Sequence, residues 1–130
     1  MLQIAYIAKL NQTNSLIMDT LDVHFDAHVT FIEPKDILGE SSNTSVSNPD
    51  LVIFDLNTST EYRNATNKIQ RINQIFSDPP LIVIHPYEMK KFVDPLLKAG
   101  VNAVIPIAPS EDEIKTAITS TLQGKTFVSL

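Results

Sequence analysis

Asp55 is the residue best placed to do chemistry in this chain. It closes the run Asp50-Leu51-Val52-Ile53-Phe54-Asp55-Leu56. Leu51 to Phe54 is continuous, apolar and partly β-branched, the pattern of a strand buried on both faces. A carboxylate at the end of such a strand sits at the rim where open α/β sheets carry their sites. What it can do depends on which groups stand beside it. Lys9, just past the first apolar run, can form an internal ion pair with Asp55. The alternative is that Lys9 reaches into solvent and Asp55 caps a loop. His85 closes a further apolar run and is expected at the same rim. There it would bind an anion or ligand, or hydrogen-bond the backbone near Pro86. His24 and His28 lack the helical i, i+4 setting that converges histidines on a metal, so a surface loop is expected for them.

Other chemistries find no carrier. The chain has no cysteine, which removes disulfides, thiolate catalysis and thiolate metal sites. The three glycines are scattered, so no glycine-rich phosphate loop exists. No nucleophile elbow or Ser–His–acid pattern appears. The expectation is a non-enzymatic protein without metal or other cofactor.

The elements that must hold Asp55 alternate in type. Strands are expected at Ile4 to Ala8, Ala27 to Glu33, Leu51 to Leu56, Leu81 to His85 and Ala103 to Ile107. A first helix, capped by Asn14 or Ser15, holds Leu16, Ile17, Met18 and Leu21. Ser41 to Asn48 is a polar loop, where a second helix is short or absent. Glu61 to Phe76 is a helix with an Ile69, Ile72 and Ile75 stripe, stopped by Asp78-Pro79-Pro80. Tyr87 to Ala99 is a fourth helix, with Gly100 in the left-handed position after it. Ser110 and Glu113 form a capping box for a last helix from Glu111 to about Gln123, which buries Ile114, Ala117, Ile118 and Thr121. Strands joined by helical crossovers lie parallel, so the sheet is covered on both faces.

Composition agrees. One domain fills residues 1–130, and 43% of the residues are hydrophobic. No apolar run reaches the ~18 residues a membrane helix needs. The N-terminus reads as a strand and not a leader, and a cytoplasmic protein is expected. The net charge is −5 and the only arginines are Arg63 and Arg71, which leaves no basic face for nucleic acid.

A fivefold βα chain with Asp ending its third strand resembles the receiver domain of bacterial response regulators. The resemblance spans essentially the whole chain. Pro49 to Leu56 is similar to the phospho-acceptor strand, and Lys98 to Ile105 to the approach to strand five. Ser110 to Ile118 with Leu122 to Ser129 is similar to the end of a LuxR/NarL-type receiver. There the chain leads to a helix-turn-helix domain. The resemblance implies a flavodoxin-like (βα)5 fold with a five-stranded parallel sheet and helices on both faces. It implies Asp55 as the acceptor position and Asn57 at the position of a carbonyl ligand.

Departures from the family are several. The acid pair that holds Mg²⁺ falls at Lys9 and Leu10. The Ser or Thr ending strand four is His85, the Lys ending strand five is Ile107, and the switch aromatic is Val104. Mg²⁺ wants octahedral oxygen ligands, usually with more than one carboxylate. Phosphoryl transfer is accelerated by charge neutralisation and positioning. Without those groups Asp55 is expected to be a silent acceptor. The resemblance then implies a regulatory domain of a transcription regulator that acts by dimerisation or by ligand or partner binding. Val104, Ile105 and Ile107 would make the strand-five rim apolar and favour a homodimer. DNA binding would belong to a C-terminal domain beyond residue 130. The alternatives are an orthodox Asp55 phospho-receiver, a stand-alone docking module and a small-ligand sensor. For the last the sequence offers few arginines and no tryptophan.

Overall fold

The structure is a computed structural model that describes residues 1–9, 11–38, 48–56, 65–85 and 90–129. Strands and helices alternate as the apolar patterning requires. They are β1 (Leu2–Ile7), α1 (Gln12–His24), β2 (Ala27–Ile32), α2 (Pro34–Leu38), β3 (Leu51–Asp55), α3 (Ala65–Phe76), β4 (Leu81–His85), α4 (Lys90–Lys98), β5 (Ala103–Pro106), α5 (Glu111–Leu122) and β6 (Phe127–Val128). The sheet order is β2-β1-β3-β4-β5-β6, and every pairing is parallel.

Alternation along the strands sorts side chains into two cores. Ala5, Ile7, Val52, Phe54, Val83 and Val104 face one layer, with Ile69 and Ile72 of α3 and Val93 and Leu96 of α4. Ile4, Tyr6, Ile53, Ile84 and Ile105 face the other, with Ile17 and Leu21 of α1 and Ile114 and Ile118 of α5. Both faces of the central strands are therefore covered, as a parallel sheet demands.

Some expectations need correction. The sheet has a sixth strand, because Gly124 at φ +75° turns the chain back after α5. Phe127 N then donates to Asn102 O at 3.1 Å and Ser129 N to Val104 O at 2.9 Å. What read as a link is thus part of the sheet. Strand β5 stops at Pro106, not Ile107. The cap of helix α1 is Asn11, three residues before the nearer of its expected caps, Asn14 or Ser15: Asn11 is extended and its Oδ1 accepts from Asn14 N at 2.8 Å. Leu16 is consequently exposed, and the buried stripe of α1 is Asn14, Ile17 and Leu21. Helices α3 and α4 are described from Ala65 and Lys90. The expected starts at 61–64 and 87–89, and most of the polar loop at 41–47, lie outside the described residues.

Other signals hold. Gly100 has φ +105°, and Val101 N reaches back to Leu96 O, closing α4. Ser110 Oγ accepts from Glu113 N at 3.1 Å, while Glu113 Oε1 accepts from Ser110 N at 2.9 Å. Ser129 Oγ also donates to Glu113, tying β6 to the start of α5. These bonds, the Ser110 N–H foremost, hold the Glu113 carboxyl below its ordinary value of 4.5. Their contribution is present above that pH and is lost as pH falls through the lower folded value. Ser110→Ala is expected to cost about 1 kcal/mol at neutral pH, read as a lower urea midpoint with unchanged slope.

Candidate functional site

The chain leaves β1 toward β2 on one side and returns past it to β3 on the other. The carboxyl ends of β1 and β3 therefore flank the topological switch point, where open α/β sheets place ligands. Ile7 pairs with Phe54, so Ala8 and Lys9 follow β1 at the level where Asp55 ends β3.

Asp55 pairs with Ile84 and shares the face of Ile53, which is the α1–α5 face. It is 3% exposed. Helix α1 meets it with Asn14, which is fully buried. Asn14 Nδ2 donates to Asp55 Oδ2 at 2.9 Å and to Lys9 O at 2.8 Å. Asn14 Oδ1 accepts from the Tyr6 hydroxyl at 2.5 Å. Both ends of the amide are engaged, and the carboxylate and carbonyl acceptors fix which end is nitrogen. Tyr6 is fully buried, stacked on Phe31 with ring centroids 5.5 Å apart. Burial, and then the charge of Asp55, push the Tyr6 phenol far up, so it stays a donor.

This Tyr6–Asn14–Asp55 chain was not legible as a site. One signal was available. Asn14, Ile17 and Leu21 share the spacing of a buried helical stripe, and an amide on such a stripe must find partners inside. Chemically the arrangement hides a carboxylate. Its Oδ2 accepts the Asn14 amide hydrogen inside the fold.

Lys9 is exposed. The Lys9 carbonyl joins the cluster by accepting from Asn14 Nδ2. His85 is fully buried, but it lies one residue past Ile84. Alternation turns it to the α3–α4 face, away from the face Asp55 uses. Burial lowers its pKa. Val104 and Ile105 are buried in the two cores, so they cannot make the rim apolar; Ile107 alone of the three is exposed, at 39%. Leu10 and Asn57 lie outside the described residues. His24 ends α1 against Glu111, and His28 lies on β2. Among the described residues no group of three His, Cys, Asp or Glu could hold a metal ion.

Two outcomes follow. Asn14→Ala should cost about 3 kcal/mol, because it removes one bond from a buried carboxylate and one from the buried Tyr6 hydroxyl. In a double-mutant cycle, adding Asp55→Ala should recover part of that loss, and strict additivity would show no coupling. His85 binds its proton less readily folded than unfolded, so the unfolded state takes up more protons below the ordinary value of 6.5. Thermal stability should fall as pH drops through that value, and His85→Leu should flatten the fall.

No protein-family model and no curated protein matches the chain. Solved structures match it in shape. The isolated REC domain of RcsB from Salmonella enterica serovar Typhimurium, in the apo form, gives a TM-score of 0.78 at 14% identity, over 99% of this chain and 93% of that one. A LuxR family DNA-binding response regulator from Silicibacter pomeroyi gives 0.73 at 18%, over 99% and 97%. A putative pilus assembly protein (CpaE) from Burkholderia thailandensis gives 0.75 at 10%, over 95% and 99%. Identities this low speak for architecture alone. This chain has the fold of a response-regulator receiver domain.

Proposed function

We propose that this protein is a regulatory receiver-like domain that signals without phosphoryl transfer to Asp55. The supporting observation is the Asn14 amide on a carboxylate that is 3% exposed. A phospho-acceptor needs an open oxygen, a divalent ion beside it and a cation to steady the transferred group. In the sequence Lys9 and Leu10 stand where ion ligands would be wanted, and Ile107 follows β5. On this reading the domain is not an enzyme and needs no Mg²⁺ or other cofactor.

Its output would be association between proteins, most simply between copies of itself. Leu16 is 61% exposed and Val23 76%, seven residues apart on α1. Two large apolar residues on one exposed helix face suit a contact surface. The net charge of −5 disfavours nucleic acid. DNA contact in a transcription regulator would fall to a C-terminal helix-turn-helix domain beyond residue 130. A cytoplasmic setting fits this role, and no helix among the described residues is long and apolar enough to cross a membrane.

Incubation with acetyl phosphate and Mg²⁺ should leave the intact mass unchanged. Beryllofluoride should not change the oligomeric state. A stoichiometric adduct on Asp55 would restore the orthodox phospho-receiver.

A further inference from the structure

We infer that copies of this chain associate head to tail, with the start of α4 of one copy seated in the α1–α5 groove of the next. This rests on the self-association proposed above and specifies its geometry. The groove is about 430 Å³, open to solvent, and runs between α1 and the loop that enters α5. Leu16, Val23 and Pro109 give it apolar walls. Among the described residues that line it, the charged ones are Asp19, Glu111 and, when protonated, His24. Helix α1 carries Asp19 and Asp22 and no Lys or Arg, and the first turn of α5 adds Asp112. The groove is thus an apolar slot with an acidic rim.

Such a slot fits poorly against its own image. A two-fold pairing through this face would set the Asp19 and Glu111 rims of two copies near each other. Like charges facing across an interface cost several kcal/mol. The complementary shape is an apolar side chain flanked by cations, and α4 carries one. Lys90, Lys91 and Phe92 are consecutive and exposed at its start. Phe92 is 42% exposed, and the Lys91 ammonium lies 5.2 Å from its ring centroid. An aromatic ring with adjacent lysines matches an apolar slot rimmed by Asp and Glu.

The fold decides between one copy and two. Val93 and Leu96 place α4 on one face of the sheet, while Ile17 and Ile114 place α1 and α5 on the other. A chain cannot seat its own α4 in its own groove. The contact must join copies, and it joins different surfaces, so it is heterologous and extends beyond a dimer unless a ring closes.

Two double variants test this in the whole 130-residue chain. Asp19→Lys with Val23→Lys spoils the groove; Lys90→Glu with Lys91→Glu spoils the knob. All four positions are exposed, and thermal melts would check that both variants fold. Sedimentation of the wild type should show concentration-dependent growth past dimer, weakened about tenfold between 0.05 and 0.5 M NaCl. Each variant alone should be monomeric. Their equimolar mixture should form a one-to-one dimer and nothing larger, because it retains one good groove and one good knob. A wild type that stays monomeric to millimolar concentration would overturn this inference together with self-association. A wild type that stops at a dimer unaffected by the knob variant would overturn the head-to-tail geometry and leave self-association standing. A mixture that remains monomeric would also overturn it.

Discussion

One hydrogen bond from a neutral donor, the Asn14 amide, to the Asp55 carboxylate sets the character of the sheet's carboxyl end. A carboxylate that is 3% exposed must be compensated locally or it destabilises the fold. The compensation depends on several parts. Helix α1 must start at Gln12, so that Asn14 lies on its inner stripe. Asn11 secures that start as the cap. Tyr6 must face the α1 side of β1, which strand alternation ensures from Ile4 onward. Asp55 must share that side, which its pairing with Ile84 ensures.

A neutral amide shares in this work, and such a donor has an energetic advantage over a cation. Bringing the Lys9 ammonium to a buried carboxylate would desolvate a second charge, at a cost of several kcal/mol that the pair regains only with excellent geometry. An amide costs far less to bury once both its ends are bonded. Lys9 keeps its side chain exposed and contributes its carbonyl instead. Position on the fold invites chemistry, but the groups around the atom determine it.

The sequence shows the architecture far better than the site. Strand β3 is read from Leu51 to Phe54 because burial on both faces leaves an unbroken apolar run. Helix α5 is read from Ser110 and Glu113 because a capping box is local chemistry. The limits of α1 were misread, since Asn11, Asn14 and Ser15 all have cap chemistry and only tertiary contacts choose among them. Strand β6 was hidden because two residues carry no periodicity; its pairing depends on β5 being close by. The placement of His85 failed by one residue of alternation, which is enough to move a side chain across the sheet. Asn14 was invisible as a site residue because its partners are 8 and 41 residues away.

Helix α1 carries both functional features on opposite sides. Its inner stripe bears Asn14, and its outer face bears Leu16, Asp19 and Val23. A helix of 13 residues moves largely as a unit, so a load on the outer face reaches the inner one. Seating a partner side chain in the groove by shifting α1 would stretch the Asn14 bonds to Asp55 and Tyr6. The coupling cannot exceed what those bonds contribute, about 1 to 3 kcal/mol, which is the ordinary range of allosteric linkage. Linkage is reciprocal, so under the proposed association a change that loosens Asn14 would alter it by the same factor. Helix packing thus offers this fold a connection between its switch point and its surface.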